Sequence, residues 1–301
     1  MPRRYGFPYK GSKSRIVSWL LGALPPGDVF VDLFAGGCAV THGAMLSGMY
    51  RSYVANDVAG TALLFADAIH GRYADEDRWI GRDDFFALKD TDAYVRWIWS
   101  FGNDGRTYMY GRDIEPWKRA FHYAVFYRDA RPFSDLGVII PAHVISGTDM
   151  GIRYRSLSSY LRSLSLGRPF LRLESCARLQ GLHELRGLQG CLRVYSLDYQ
   201  DVPIPSGAVV YCDIPYKGTN VYDSCSAFDY ERFYSWALSR DFPVFVSEYA
   251  MPEGFSVVDG CVRTDTMCAT DNAVKRIERV FVQDRFACLY RRTLFDMCAY
   301  V

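Results

Sequence analysis

Short apolar runs that end in acids punctuate this chain. Gly207-Ala208-Val209-Val210-Tyr211-Cys212 is apolar and β-branched and predicts a buried strand, with Asp213-Ile214-Pro215-Tyr216 emerging where it ends. Asp28-Val29-Phe30-Val31-Asp32-Leu33 predicts another, opening through Phe34-Ala35-Gly36-Gly37-Cys38 into a helix, and Ser52-Tyr53-Val54-Ala55-Asn56-Asp57 predicts a third that again stops at an acid. Arg15 to Leu21 carries apolar positions at helical spacing and is entered from the polar loop Phe7-Pro8-Tyr9-Lys10-Gly11-Ser12-Lys13-Ser14. In the middle of the chain, Ser100 to Gly111 is glycine-punctuated and predicts a loop. Arg153-Tyr154-Arg155 precedes a helix over Ser156 to Leu166, with Leu157, Tyr160, Leu161 and Leu164 on one face, and a second helix is expected over Phe170 to Leu185. Leu182, Leu185 and Leu188 are expected to be core.

With 301 residues, half of them hydrophobic and 16% aromatic, the chain is folded and long enough for one large α/β domain plus a smaller one. The net charge of +1 selects no partner, but its distribution is uneven. From Arg96 to Arg193, 15 Lys and Arg stand against 8 Asp and Glu, which leaves 20 against 26 elsewhere. A basic middle in a mildly acidic body suits a polyanion, although solvated helix faces produce the same count. Nine cysteines without a Cys-x-x-Cys pair or matching histidines speak against a zinc site and fit free thiols in a reducing cytoplasm. No apolar leader follows Met1, and the longest charge-free run, Leu33 to Tyr50, contains four glycines and a histidine, so no membrane span is expected.

The loop before Arg15 feeds a helix N-terminus, a natural seat for an anion. Gly6 and Gly11 have P-loop spacing, but Ser12 intervenes before Lys13 and no strand leads in, which excludes an NTPase loop. Asp57 follows Gly36 by 21 residues, near the position where dinucleotide folds keep the acid that binds ribose. Either feature alone also fits plain strand packing, whereas both together favour a nucleoside-bearing cofactor. At the other strand end, Asp213 and the Ile214 carbonyl can accept hydrogen bonds from a flat amine, Tyr216 can stack on its ring, and Pro215 stiffens the turn. Taken by itself, this tetrapeptide fits equally well a tight X-Pro turn with a core tyrosine.

In order, Tyr9-Lys10-Gly11-Ser12-Lys13, Asp32-Leu33-Phe34-Ala35-Gly36, Asn56-Asp57, a long basic insert and Asp213-Ile214-Pro215-Tyr216 resemble the DNA adenine N6-methyltransferases of the Dam type, and among them the bacteriophage and prophage members. The resemblance implies an α/β, Rossmann-like S-adenosylmethionine-dependent methyltransferase sheet, formed by 1–70 and 191–301, with a mostly helical target-recognition lobe at 71–190. It sets Tyr9, Lys10 and Lys13 against the methionine end of the cofactor. Asp32, Phe34 and Gly36 become its turn, Asp57 its ribose ligand, and Asp198 and Tyr199, closing the strand Leu192 to Tyr199, its adenine contacts. Asp213, Ile214, Pro215 and Tyr216 become the catalytic residues acting on a flipped-out adenine. Val244 to Tyr249 is then the next core strand, and Arg276–Val282 with Phe286–Tyr290 a closing hairpin. Arg106, Arg112, Lys118, Arg119, Arg153 and Arg155 are the candidate DNA contacts.

Two positions depart from the family pattern. Cys38 stands where a second glycine is usual, and Ile214 replaces the commoner proline at a place where only the backbone carbonyl is needed. The expected partner is double-stranded DNA, with a paired restriction enzyme left open by the sequence, and with no metal and no membrane, for a monomer in the cytoplasm beside the nucleoid. The competing readings are an amino-methyltransferase of RNA or protein, which the motif order and Asp rather than Asn at 213 disfavour, and a non-catalytic DNA-binding relative. The five histidines are read as structural.

Overall fold

The computed structural model of the chain describes residues 4–166, 179–217, 228–265 and 274–290. The chain divides into two units, one made of Met1–Phe7, Gly11–Ile69 and Glu184–Val301 and the other of Pro8–Lys10 and His70–His183. It is an α/β fold whose first unit holds a mixed seven-stranded sheet of order β3-β2-β1-β4-β5-β7-β6. The strands are β1 Val29–Asp32, β2 Ser52–Asn56, β3 Leu192–Tyr195, β4 Val209–Cys212, β5 Val244–Glu248, β6 Phe255–Asp265 and β7 Val274–Gln283. β3, β2, β1, β4 and β5 run parallel, while β7 is antiparallel to both β5 and β6. Every residue of β4 and β5 is buried, as expected of central parallel strands covered on both faces. Val31 pairs with Val54 on one side and Val210 on the other, so the strand order reverses between β1 and β4.

Helix α1, Val17–Ala23, packs on α2, Ala39–Ser47, and α3, Thr61–Ile69, follows β2. The segment ahead of α1 is pinned to the turn after β1. The Gly6 amide donates to His42 Nδ1 at 2.9 Å and the Phe7 amide to the Gly37 carbonyl at 3.0 Å. A Cβ on Gly6, whose φ is +62°, would lie 2.1 Å from the Gly37 carbonyl oxygen and 2.8 Å from the Ala39 nitrogen. Both obstacles are backbone, so neither can swing aside.

The second unit is helical over its longer elements. Its core joins Phe121, Val125, Phe133, Ile140, Leu157 and Leu161. The helix predicted from Ser156 begins earlier, at Met150, and runs to Ser163, because the Asp149 carboxylate caps it by accepting the Ile152 amide at 2.9 Å. Arg153-Tyr154-Arg155 therefore lies within the helix, and Leu164, just past its end, is exposed. Most of the helix expected over Phe170 to Leu185 lies outside the described residues, and Leu182–Cys191 is a 3-10 helix. Leu182 and Leu185 are buried and Leu188 is half-buried.

The closing hairpin also differs from expectation. β7 pairs with the upstream β6, and Asp284–Tyr290 is a helix instead of a returning strand. Inward positions there recur at helical spacing, with Gln283 and Ala287 buried and the Tyr290 ring 5.1 Å from Phe245. A five-residue apolar run carries either period, and packing decided it.

Gly6→Ala is expected to lower unfolding stability by roughly 2–4 kcal/mol, since a fixed backbone must shift. Gly48→Ala, at φ +68° with nothing within 4 Å of the added Cβ, should cost only about 1–2 kcal/mol. Urea denaturation of the two variants gives the comparison.

Candidate active site

β1 ends in Asp32 and β4 runs directly into Asp213, side by side where the strand order reverses. Ligands of open α/β sheets bind at such a point. Asp32 is 1% exposed. Its Oδ2 accepts the Thr41 hydroxyl at 2.8 Å, while Oδ1 has no hydrogen-bond partner among the described residues. Burial pushes its carboxyl up to about 7; the Thr41 hydroxyl opposes the rise, and Asp213 and Asp57 add to it.

The turn after β1 is tied to β2 and β4. The Leu33 amide donates to the Tyr211 carbonyl at 3.0 Å, the Ala35 amide to the Asn56 carbonyl at 2.9 Å and the Gly36 amide to Asp57 Oδ2 at 2.9 Å. Asp57 Oδ1 accepts the Ala59 amide at 2.9 Å. Burial raises the Asp57 carboxyl, against the pull of the Ala59 and Gly36 amides. Cys38 is left-handed at φ +55°, a conformation that favours glycine, and its side chain is fully buried. The turn thus keeps a glycine-like path with a thiol at its end. Burial first, then Asp32 and Asp57, hold that thiol well above its usual value, so it remains protonated.

At the other strand end, the Lys13 Nζ lies 2.7 Å from Asp213 Oδ1 and 3.5 Å from Glu278 Oε1. The same ammonium stands 4.4 Å from the centroid of the Tyr216 ring. The Tyr216 hydroxyl donates to Glu278 Oε1, and its ring meets Tyr249 edge-on at 4.7 Å. Burial first, then Asp213 and Glu278, drive the phenol far upward, so it stays a donor. Glu248 accepts the Lys217 amide at 3.1 Å and the Tyr249 amide at 2.7 Å, bracing the chain as it leaves the turn.

Sequence reasoning missed Glu278 and Glu248. Glu278 is fully buried beside exposed Ile277, the reverse of what residue type suggests. An acid in register with Val280 and Val282 on one face of a strand was the available signal.

The remaining candidates are spread more widely. Asp198 and Tyr199 lie beyond β3, in a turn. Arg232 grips Asp198 with contacts of 2.8 and 3.1 Å. Burial works against ionisation of Asp198, but the Gln200 amide and Arg232 outweigh it and hold the carboxyl below its ordinary value. The Tyr199 ring is buried, 5.3 Å from Phe34 and 5.1 Å from Trp236. Ile214 is buried and Pro215 exposed. Tyr9 and Lys10 fall in the second unit, where Tyr9 lies 6.3 Å from Trp97.

Arg106, Arg112, Arg119 and Arg155 are exposed, but Lys118 and Arg153 are not. Lys118 is 5% exposed, its ammonium 5.3 Å from the Tyr110 ring. Arg153, 7% exposed, donates to the carbonyls of Val125 at 2.6 Å, Gly147 at 2.8 Å and Thr148 at 3.1 Å. The helix starts three residues before Arg153, which sets it on the same buried face as Leu157 and Leu161. It therefore braces the lobe and does not point outward.

Among the described residues, no helix is long and apolar enough to cross a membrane, and no group of three or more His, Cys, Asp or Glu is positioned to hold a metal. Residues 9–97 match the family model described as D12 class N6 adenine-specific DNA methyltransferase. The family consists of enzymes that act on DNA, and the match supports DNA adenine methyltransferase function for this chain. No curated protein matches the chain.

Because the folded protein binds the Asp32 proton more tightly than the unfolded chain, ionising Asp32 costs stability as pH rises from about 4 through about 7. Asp32→Asn should therefore stabilise the ligand-free protein at pH 8 by roughly 1–3 kcal/mol, with the gain fading toward pH 5. Melting curves at the two pH values test this. Arg153→Met should lower stability by roughly 2–3 kcal/mol through the orphaned carbonyls, whereas alanine at Arg106, Arg112 or Arg155 should change it by less than about 0.5 kcal/mol.

Proposed function

We propose that the first unit transfers a methyl group from S-adenosylmethionine to the exocyclic N6 of an adenine within a specific sequence of duplex DNA. The observation that carries this reading is the adjacency of Asp213-Ile214-Pro215-Tyr216 to Asp32 at the reversal of the sheet, in a chain whose residues 9–97, which include Asp32, match an adenine methyltransferase family model.

The donor set fits the cofactor. S-adenosylmethionine is cationic at its sulfonium and its ammonium, and Asp32 offers a buried carboxylate oxygen with no hydrogen-bond partner among the described residues. Asp32, Phe34 and Gly36 would hold it along the turn, with Asp57 toward the ribose and Asp198 and Tyr199 toward the adenine. When bound, it supplies an electrophilic methyl on a positively charged sulfur.

The chain's own residues act on the amine. The N6 lone pair of adenine is delocalised into the ring and is a poor nucleophile. Hydrogen bonds from N6 to the Asp213 carboxylate and the Ile214 carbonyl favour a more tetrahedral nitrogen, and Tyr216 stacks on the ring to fix its approach. Rate enhancement then comes from orientation and from charge placed in advance. The target atom is inaccessible inside the stack, so the base must leave the helix first. Exposed Arg106, Arg112, Arg119 and Arg155 suit contact with phosphates, which sets affinity and register more than sequence. A monomer suffices, since one site modifies one strand at a time. The enzyme would work on DNA in the cytoplasm of a prokaryotic or phage-infected cell, with or without a cognate restriction enzyme.

Labelled methyl transfer to duplex DNA, with sequencing for N6-methyladenine, tests the reading directly. Label in RNA or protein but not in DNA would overturn it. Asp213→Ala should reduce kcat by about 10²–10⁴ while leaving the cofactor Kd within about threefold. Asp32→Asn should do the converse, weakening cofactor binding at least about tenfold. Wild-type affinity for the cofactor should rise between pH 6 and pH 8 as Asp32 ionises, and calorimetry showing no such rise would remove Asp32 from the cofactor site.

A further inference from the structure

Lys13 does to Asp213 what the substrate amine is expected to do. Its nitrogen donates to the carboxylate at 2.7 Å and lies 4.4 Å from the centroid of the ring on which a base would stack. Stacked rings need that space. A fixed cation there would also weaken Asp213 as an acceptor and repel the positive charge that develops on N6 as the methyl arrives. The Lys13 side chain is 4% exposed, so its ammonium cannot simply retreat into water. A second carboxylate is within reach, because Glu278 Oε1 is 3.5 Å away, fully buried, and also accepts the Tyr216 hydroxyl.

The geometry points to a two-seat lysine. Lys13 occupies the amine's place on Asp213 in the resting enzyme and moves to Glu278 when the target adenine enters. Glu278 is thus a positioning residue. It never touches substrate, but it gives the displaced ammonium a destination and holds the Tyr216 ring in place through the hydroxyl. This assignment rests on the adenine methyltransferase reading above.

Two substitutions separate these roles. Glu278→Gln keeps an acceptor of the same reach for Tyr216 but removes the charge that draws Lys13; Glu278→Asp keeps the charge and shortens the reach. Steady-state transfer to duplex DNA at saturating S-adenosylmethionine should give kcat in the order wild type, Asp, Gln, with the Gln variant down about tenfold and the cofactor Kd within about threefold by calorimetry. Adding Lys13→Met to Glu278→Gln should recover at least threefold of that loss, because no ammonium is left to displace. A Gln variant as fast as the Asp variant would mean that Glu278 serves only Tyr216 and would overturn the proposal. So would a double variant slower than Glu278→Gln alone. A wild-type enzyme that binds the cofactor but methylates no DNA would instead overturn the adenine reading, and this proposal with it.

Discussion

Carboxylates drawn wholly or partly out of water at the strand ends are the constraint around which this protein is arranged. β1 ends in Asp32, β2 leads into Asp57, β4 into Asp213, and β5 ends in Glu248, with Glu278 reaching in from β7. Burial pushes Asp32, Asp57 and Glu248 toward their neutral forms, and neighbouring carboxylates add to that at Asp32 and Glu248. The fold answers with specific donors: the Thr41 hydroxyl at Asp32, the Gly36 and Ala59 amides at Asp57, the Lys217 and Tyr249 amides at Glu248, and Lys13 between Asp213 and Glu278. Lys13 follows the segment that the Gly6 and Phe7 amides tie to His42 and to the glycine turn.

That electrostatic surplus favours cationic ligands. Asp32 retains an oxygen without a hydrogen-bond partner among the described residues, an arrangement the apoprotein tolerates at a cost and a positive group relieves. If Asp32 holds the cofactor as proposed, stability and binding pull against each other at this residue, as is common where a site is shaped for something other than the apoprotein. Cys38 carries a smaller conflict of the same sort, since a side chain sits where backbone geometry prefers none, offset by the burial of its thiol.

The lobe shows how residue counts mislead. The basic excess between Arg96 and Arg193 is real, yet Lys118 and Arg153 belong to it and are buried. Arg153 closes three carbonyls inside the lobe. A guanidinium has five donors in a rigid fork, which suits it to bracing irregular backbone as well as to binding phosphate. Charge bookkeeping cannot tell these uses apart, because burial is not a property of composition.

By itself, the sequence determined the parts whose information is local. Apolar β-branched runs ending in acids marked β1, β2 and β4 nearly to the residue, and the glycine turn and the Asp-Ile-Pro-Tyr corner could be read directly, since periodicity and turn chemistry depend on neighbours a few positions away. Only the tertiary structure decided what depends on distant neighbours. It set Asp198 against Arg232, turned Phe286–Tyr290 into a helix by giving it a face to bury on, and brought Glu278, 265 residues after Lys13, within 3.5 Å of its ammonium. Long-range pairing of charges leaves no period in the chain, because two residues that meet across a sheet need share nothing in sequence but their place in the fold.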